Sequence, residues 1–465
     1  MSQARFVAVI DVGKTNAKLA LVDLEKHSEV AVRKHANIPI SGDPYPHTDI
    51  AGIWDFVCTS LAELNAKTPI EAISITTHGA SAVLVTRDGE LALPMLDYEY
   101  SGPDEYDTDY AQVRPDFHQS LTPPLPDGLN LAKQLFWQSK KFPKEFARTK
   151  WILPYPQYWG FRLTGVAASE ITSIGCHTDL WNFRTNDFST LVERENWREK
   201  FAPIRPATDV LGLVKPELAA KLGLCENIPV HVGIHDSNAS LLPHVMSQAA
   251  PFAVVSTGTW VVICAPGGDL ENLDPARDSY SNIDAFGRHV PSARFMGGRE
   301  YTELTDNVAQ DPQPTTIEQV LKESWFLFPS ICKGSGPFPQ MKARTTFNRD
   351  DVSDEAFYAI VSFYLAMMTS ECLSLAGAAG DIIVEGPFAT NQLFLEMLQA
   401  ATGRSVLAQK SNSTGTSIGA ALLARETIAE KTLEGAIPVT CPLLSDMAIY
   451  AQKWREEIKT IRDAQ

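Results

Sequence analysis

Two stretches of this chain show the same succession of apolar and polar positions. In residues 6–25 and again in 253–264, two β-rich apolar runs flank a few polar residues that include a glycine. This pattern predicts a β-hairpin in each stretch. Short apolar runs alternate elsewhere with longer helix-like stretches, the runs at 71–80, 228–237 and 381–388 and the helix-like stretches at 357–376 and 391–401. The alternation predicts an α/β fold built of layers.

The chain is too long for one hydrophobic core, since 465 residues normally form two domains. A short passage at 245–251 follows a helix-like stretch and precedes the second predicted hairpin. We therefore predict a domain boundary there, with domains at 1–247 and 248–465. The second hairpin would open its domain as the first opens the chain, which indicates structural duplication without a sequence repeat. Residues 101–130, rich in Pro, Asp and Tyr, predict an irregular surface insertion or substrate-side loop.

Composition narrows the classes of partner. Hydrophobic residues make up 44% and charged residues 21%, which is typical of a globular protein with sizeable cores. The 40 basic and 56 acidic residues give a net charge of −16, which disfavours binding to nucleic acid or to an anionic membrane. An anionic ligand must then be held locally by backbone N–H groups, a lysine or a metal ion.

Three further features predict a cytoplasmic location. We find no apolar run of the roughly 18 residues that a membrane span needs, and the N-terminus runs into a strand rather than a signal segment. The seven cysteines are scattered, form no CxxC pair and are odd in number, which is typical of reduced thiols. A homodimer stays open as the assembly state.

The turn of the first hairpin carries polar groups suited to phosphate. Asp11 ends an apolar strand, and the residues after it are Gly13, Lys14, Thr15, Asn16 and Lys18. The turn can present N–H groups to phosphate, Asp11 could hold Mg²⁺ through water, and Lys18 or Lys14 could face phosphate oxygens. A plain hairpin turn accounts for the same residues.

The turn of the second hairpin has a similar character. Thr257, Gly258 and Thr259 lie between two β-rich runs. A glycine lets the backbone approach a ligand closely, and hydroxyl groups can donate to phosphate oxygens. The alternative is a polar turn without a ligand.

A carboxylate stands at the end of another predicted strand. Asp236 follows the run 228–234 and precedes a stretch of small residues that predicts a helix. A carboxylate in this place can accept the proton of an attacking alcohol, which is a role that phosphoryl transfer requires. The alternative is an Asp that caps the helix.

The last glycines with a candidate role lie late in the chain. Gly386 follows the strand-like run 381–385, Asn391 opens a helix-like stretch, and Gly415 and Gly419 lie at the start of a second one. Together they could form a flat slot for a purine. Gly415 could equally relieve helix packing.

The order and spacing of these motifs resemble the FGGY carbohydrate kinases, over about residues 6–425. The resemblance implies a duplicated actin-like (ribonuclease H-like) ATPase fold with two lobes and a central cleft. It also implies that MgATP phosphorylates a small sugar, with the sugar on the N-terminal lobe and ATP on the C-terminal lobe.

The resemblance also assigns roles to single residues. It makes Asp236 the catalytic base and Asp11 the residue that holds Mg²⁺ through water. The residues it implies for phosphate and ATP are Gly13, Thr15, Asn16, Lys18, Thr257, Gly258, Thr259, Gly386, Asn391 and Gly415. Of the family's adenosine segment only Gly386 and Asn391 are kept, and Phe388, a departure from it, could stack on adenine.

Within the family the chain is most similar to kinases of deoxy-ketohexoses such as L-rhamnulose and L-fuculose. The similarity lies in the pair His235 and Asp236, in 77–79 and in 154–165. It implies sugar contacts from His78, Gly79, Gln157, His235 and Asp236. Both histidines could instead be structural, and Trp54, Tyr158 and Trp159 could form either an apolar face for a sugar ring or part of the core.

Two other functions stay open. One is a kinase of glycerol or of another polyol or pentulose. The other is a non-catalytic protein that binds sugar or ATP, and the retention of Asp236, Asp11 and both turns counts against it.

Overall fold

The structure is a computed structural model that describes residues 4–306, 308–409, 415–425 and 436–463. It divides into two compact units, the first formed by residues 1–248, 282–289 and 412–433, and the second by 249–281, 290–411 and 434–465. The sequence predicts one domain boundary, between 247 and 248. The division in the structure differs from it at two segments, because the described residues of 282–289 and 412–433 pack with the first unit.

The first unit contains eleven strands among its described residues, β1 (Phe6–Val12), β2 (Asn16–Asp23), β3 (Ser28–Ala36), β4 (Ala72–Thr77), β5 (Ala82–Thr86), β6 (Thr149–Pro154), β7 (Trp181–Asn182), β8 (Asp187–Phe188), β9 (Val210–Leu213), β10 (Pro229–His231) and β11 (Ile234–His235). Its helices are α1 (Ile50–Asn65), α2 (Asp107–Val113), α3 (Phe117–Ser120), α4 (Leu131–Lys141), α5 (Pro143–Ala147), α6 (Tyr155–Thr164), α7 (Ile171–Ile174), α8 (Thr190–Arg194), α9 (Pro216–Leu222), α10 (Asp236–Ser247) and α15 (Thr416–Leu422), with 3₁₀ turns at Gly102–Tyr106 and Arg198–Lys200.

The main sheet of the first unit has the order β3-β2-β1-β4-β10-β9, and β11 also pairs with β4. Strands β1 and β2 form the predicted antiparallel hairpin, whereas β4 runs parallel to β1, β10 and β11. The carboxyl ends of parallel strands meet at one edge of a sheet, where α/β proteins bind ligands. In register, Thr77 lies beside both Val12 and His235, so the residues that follow these three strands share that edge.

The aromatic residues proposed either for the sugar or for the core lie in the core. Trp159 and Tyr158 are buried in the main apolar cluster of the first unit. Trp54 stacks on Trp159 with ring centroids 6.1 Å apart, and the Arg162 guanidinium covers the Trp54 ring at 4.4 Å. These rings therefore stabilise the packing of α1 against α6.

The expectation of an irregular segment at 101–130 was wrong, because it contains a 3₁₀ turn and the helices α2 and α3. Pro103 stands in the first turn of the 3₁₀ segment, a position that proline favours. The Asp116 carboxylate caps α3 by accepting the His118 N–H at 2.8 Å. Lys133 of α4 holds the segment by pairing with Asp104 and Asp107.

The second unit contains the strands β12 (Ala253–Thr257), β13 (Val261–Cys264), β14 (Ser279–Ile283), β15 (His289–Phe295), β16 (Leu327–Phe328), β17 (Arg344–Thr345), β18 (Ile382–Glu385), β19 (Val406–Gln409) and β20 (Ala436–Pro438). Its helices are α11 (Gly297–Thr305), α12 (Pro314–Glu323), α13 (Asp354–Leu375), α14 (Gln392–Thr402) and α16 (Leu444–Asp463), with 3₁₀ turns at Pro275–Arg277, Arg349–Asp351 and Pro387–Thr390.

The sheet of the second unit repeats the plan of the first. Its order is β14-β15-β13-β12-β18-β19-β20, with β12 and β13 as the second predicted hairpin. Strand β18 runs parallel to both β12 and β19, as β4 does to β1 and β10. Both hairpins and the α/β duplication expected from the sequence are thus confirmed.

Helix α13 corrects one expectation drawn from hydropathy. Among the described residues it is the one helix long and apolar enough to cross a membrane. Within the protein, 83% of its apolar window is buried. Helices α11, α12 and α14 contact it, and a helix that is hydrophobic on all sides is typical of a protein core.

Candidate functional site

Asp11, the last residue but one of β1, forms an ion pair. It lies opposite Lys18 in the hairpin register, and Lys18 Nζ is 3.1 Å from Asp11 Oδ2. Ser417 of α15 donates to the same oxygen at 3.0 Å. Burial raises the pKa of Asp11 and the charge of Asp236 adds to this rise, while Lys18 and Ser417 oppose it. Asp11 is therefore a carboxylate close enough to Asp236 for their charges to interact.

The turn after Asp11 is closed by its own hydrogen bonds. The Gly13 N–H donates to the Asn16 carbonyl at 2.9 Å, and the Asn37 amide donates to the Gly13 carbonyl at 2.8 Å. Thr15 and Asn16 are exposed at the tip. The tip can be reached by a ligand, so the phosphate hypothesis and the plain hairpin both fit it.

Both lysines proposed for phosphate contact form ion pairs with acidic residues. Lys18 contacts Glu29 at 3.1 Å as well as Asp11. Lys14 pairs with Asp97, lies 3.3 Å from Glu99 and covers the Tyr98 ring at 4.7 Å. Lys14 is therefore bound to the segment 97–99.

Asp236 is the first residue of α10, and the capping position belongs to His235, so the alternative of an Asp cap was wrong. Its Oδ1 accepts the Ser237 N–H at 2.6 Å. About a third of the side chain, 34%, stays exposed. Burial of the rest raises the pKa of Asp236, and the nearby His78 imidazole opposes the rise. The carboxylate thus has raised proton affinity and can be reached by a ligand.

Two buried imidazoles flank this carboxylate. His235 Nε2 lies 3.2 Å from Asp236 Oδ1, and burial lowers the pKa of His235 to about 4, which keeps the ring neutral at pH 7. His78 Nδ1 bonds the Gly79 carbonyl at 2.9 Å, and burial lowers the pKa of His78 as well. A Cβ on Gly79 would lie 2.5 Å from His235 Nε2, so a glycine at 79 leaves room for the second ring.

Gln157 is not one of the residues around Asp236, but it contacts the backbone that leads to His235. The side chain is fully buried, and its amide donates to the carbonyls of Val232 and Gly233 at 3.1 and 3.2 Å. It therefore supports the backbone that leads to His235 and has no surface for a ligand in this structure.

A small recess beside His78 brings in residues that the sequence did not reveal as a group. Its volume is about 10 Å³. The recess is lined by Lys14, Asn37, Pro39, Thr48, His78, Leu96, Asp97 and Tyr98. These residues come from five separate segments, and no local motif links them.

In the second unit, Thr257 joins the hairpin turn to the segment that contains Gly386. The Thr257 hydroxyl donates to the Glu385 carbonyl and accepts the Phe388 N–H at 3.0 Å. Gly386 has a φ of +80°, and a Cβ there would lie 2.0 Å from the Thr257 carbonyl oxygen. Because only glycine fits this contact and conformation, Gly386 keeps the two turns together.

Gly258 is less confined than the sequence suggested. Its N–H donates to the Trp260 carbonyl at 2.9 Å, but a Cβ there would meet no atom closer than 3.9 Å. The close contact is made by Gly298 of α11, where a Cβ would lie 1.9 Å from the Gly258 carbonyl oxygen. Gly298 is not among the residues predicted from the sequence. A pair of glycines directly after a strand, Gly297 and Gly298 after β15, is a pattern that could have indicated this close contact.

A cavity of about 650 Å³ opens beside this turn. That volume is in the range of small-molecule pockets. The cavity is lined by Gly258, Thr259, Gly298, Arg299, Tyr301, Thr302, Ala309, Tyr358, Pro387, Phe388, Thr390 and Asn391. It therefore gathers three of the predicted ATP residues together with Phe388 and with the unpredicted Arg299, Tyr301 and Tyr358.

Of the last two predicted nucleotide residues, Asn391 has structural contacts and Gly415 is exposed. Asn391 caps α14 by accepting the Phe394 N–H at 3.0 Å, and its amide donates to Ser362 at 3.0 Å. Gly415 is exposed at the start of α15, which packs with the first unit. The glycine that permits this packing is Gly419, where a Cβ would lie 1.8 Å from the Ala239 carbonyl oxygen.

Comparison with known families covers nearly the whole chain. Residues 6–243 match the FGGY family of carbohydrate kinases, N-terminal domain, and residues 249–432 match the carbohydrate kinase FGGY C-terminal domain.

Single relatives agree with these matches. The crystal structure of a carbohydrate kinase from Novosphingobium aromaticivorans is 33% identical, with a TM-score of 0.89 over 99% of this chain and 100% of that one. An L-fuculokinase of Salmonella typhi is 23% identical over 57% of this chain and 57% of its own length. A rhamnulokinase of Ligilactobacillus salivarius is 31% identical over 36% of this chain and 34% of its own. The chain thus spans little more than half of the first of these curated relatives and a third of the second.

Proposed function

This chain belongs to the FGGY family of carbohydrate kinases, and we propose that it transfers the γ-phosphoryl group of MgATP to a hydroxyl of a small sugar. The preferred acceptor in this proposal is a ketose such as L-rhamnulose or L-fuculose. The observation that carries the proposal is the accessible Asp236 carboxylate, whose pKa is raised, at the edge of the sheet that also holds Asp11.

Asp236 acts as the general base in this proposal. Its raised pKa makes it a better acceptor for the proton of an attacking sugar hydroxyl. The neutral His235 ring, 3.2 Å from Oδ1, can hold the carboxylate in place by donating a hydrogen bond. The protein has little covalent work to do, because phosphoryl transfer depends chiefly on positioning and charge stabilisation.

The residues around Asp11 fit a magnesium ion bound through water. Lys18 and Ser417 both contact Oδ2, so Oδ1 can accept from a water of the ion's shell. A carboxylate and water are the ligands that Mg²⁺ favours beside a nucleotide. When bound, Mg²⁺ would neutralise charge on the phosphate oxygens during transfer.

The nucleotide would bind in the 650 Å³ cavity of the second unit. Gly258 leaves open space for a phosphate group, Thr259 offers its N–H and hydroxyl as donors, and Arg299 adds a positive charge. Tyr301 and Phe388, with ring centroids 5.7 Å apart, supply an apolar wall for the base. Because the net charge is −16, such local donors are needed to hold an anion.

The sugar would bind beside His78 and Asp236 in the first unit. The recess there offers donors and acceptors suited to hydroxyl groups, from Asn37, Asp97 and Lys14. The recess has room for about one water, so a sugar would have to displace the Lys14–Asp97 pair. Gln157 supports this site from behind.

The proposed domain organisation assigns one substrate to each lobe. Residues 1–247 would form the sugar-binding lobe and 248–465 the nucleotide-binding lobe. Gly415 lies in the second of these ranges but packs with the first unit. The location that we propose for the enzyme is the cytoplasm.

A coupled assay of ADP release tests the proposal directly. The panel contains L-rhamnulose, L-fuculose, D-ribulose, D-xylulose, D-glucose and glycerol, each with MgATP. We expect a 6-deoxy-ketohexose to have the highest kcat/KM, with only modest preference over other ketoses, because one methyl group is worth about 1–3 kcal/mol. Glycerol or glucose at the head of the panel would overturn the substrate assignment, and no sugar-dependent ADP release would overturn the kinase assignment.

A further inference from the structure

A thiol and two imidazoles converge beside Asp236. Cys176 and His177 lie just after α7, and His235 directly precedes Asp236. One donor atom from each of the three lies within 4.8 Å of the others. Cys176 and His235 are buried, and His177 is half-buried. The proposed phosphoryl transfer uses neither Cys176 nor His177, so their convergence on His235 needs another explanation.

The rest of the fold holds these side chains in place. His177 Nδ1 lies 3.1 Å from the Leu129 carbonyl, so the ring donates there and its lone pair is on Nε2. Ligating histidines in metalloproteins are commonly oriented by such a bond from the other ring nitrogen. The backbone N–H of His235 donates to Thr172 Oγ1 at 3.1 Å, and the buried Glu170 carboxylate accepts from that hydroxyl at 2.6 Å.

The donor types select the class of ion. A thiolate and two imidazoles suit Zn²⁺ and similar borderline-soft ions, whereas Mg²⁺ requires oxygen ligands. Tetrahedral zinc has bonds of about 2.0–2.3 Å, which would bring the donors to about 3.5 Å from one another. The present spacing needs a contraction of about 1 Å, which side-chain rotation can supply.

We propose that Cys176, His177 and His235 bind one Zn²⁺ ion beside Asp236, separately from the Mg²⁺ of the nucleotide. Binding displaces the thiol proton of Cys176, because zinc takes the thiolate form. Three protein ligands leave a fourth position for water. The ion would draw His235 away from Asp236 and put a positive charge beside the carboxylate. Zinc therefore inhibits the kinase, an inference that rests on the proposed function.

The binding test uses the full chain, stripped of metal with a chelator and titrated with Co²⁺ and then Zn²⁺. Cobalt bound to a thiolate gives a charge-transfer absorption band, which Zn²⁺ should abolish by displacement. We expect one ion per chain, with loss of the band in Cys176→Ser and at least tenfold weaker zinc binding in His177→Ala. Cys225→Ser removes an exposed thiol of the same unit and should change neither result.

A wild-type spectrum without the thiolate band would overturn the site, even if Cys176→Ser failed to fold. A band that persists in a folded Cys176→Ser chain would overturn it too. The inhibition test measures kcat at buffered free Zn²⁺ with the best sugar, where the inhibiting concentration should match the binding Kd. Unchanged turnover with zinc bound would overturn the inhibition. A chain without kinase activity would overturn the proposed function, and the spectra would still decide whether the metal site exists.

Discussion

Gly298 lies so close to Gly258 that a Cβ on residue 298 would be 1.9 Å from the Gly258 carbonyl oxygen. No side chain can occupy that space, so α11 can approach the turn of the second hairpin only with a glycine at this position. The contact forms one wall of the cavity proposed for ATP.

We therefore expect Gly298→Ala to weaken MgATP binding about tenfold or more, since relieving such a clash costs about 1–3 kcal/mol. Gly42→Ala is the control, because its new Cβ lies in the first unit outside the proposed nucleotide site and would meet only an ordinary contact at 3.7 Å. Its affinity should stay within about threefold, a change under about 0.7 kcal/mol. Calorimetric titration with MgATP measures both, and equal affinities in the two variants would contradict the role of this contact.

Asp236→Asn should lower kcat by about 10²–10⁴-fold, the usual contribution of a general base. The amide oxygen can still accept the Ser237 N–H, so sugar binding and folding should be retained. Asp55→Asn, a change at an exposed position of α1, is the control and should leave kcat unaltered. If Asp236→Asn keeps more than a third of wild-type turnover, the carboxylate has another role.

Gly79→Ala should impair the sugar site more than the nucleotide site. The new Cβ would lie 2.5 Å from His235 Nε2 and would push the imidazole from its place beside Asp236. We expect kcat/KM for the sugar to fall at least about tenfold, equivalent to 1.4 kcal/mol, while the KM for ATP changes little. Gly42→Ala, whose Cβ would meet only an ordinary contact at 3.7 Å, should change neither constant. Equal losses in both substrates would point to general misfolding.

The stability of the second unit should depend on pH through Glu300. Burial raises the pKa of Glu300 from 4.5 to about 7, while bonds from the Cys332 N–H and the Tyr364 hydroxyl oppose this. The folded chain thus retains a proton that the unfolded chain loses, and stability falls as pH rises from about 4.5 to about 7.

In Glu300→Gln the amide oxygen can accept the Cys332 N–H and the amide nitrogen can donate to the Tyr364 hydroxyl oxygen, and the variant removes this titration. Urea unfolding at pH 5 and pH 7.5 should show that wild type loses more stability than the variant over that interval. Glu170, whose pKa is also raised to about 7, is present in both chains and cancels in the comparison. An identical pH dependence in both chains would exclude Glu300 as the cause.

The sequence could place the elements and carboxylates that depend on local order. Alternating apolar residues identified both hairpins, and the strand end at Thr77 and the helix start at Asp236 followed from the residues next to them. It could not show that Gln157 is buried under the backbone of 232–233, because that contact joins residues 75 positions apart. The same holds for Lys14, whose partner Asp97 lies 83 residues away.

What the sequence determined by itself was the α/β duplication, the two polar turns and the carboxylates Asp11 and Asp236, because periodicity and turn chemistry act over a few neighbouring residues. The tertiary structure alone decided which glycines are indispensable and with which unit α15 packs. Gly298 and Gly419, rather than Gly258 and Gly415, make the contacts that no Cβ would allow, and α15 packs on α10 in the first unit. These outcomes depend on distances between segments far apart in the chain, which only packing in three dimensions establishes.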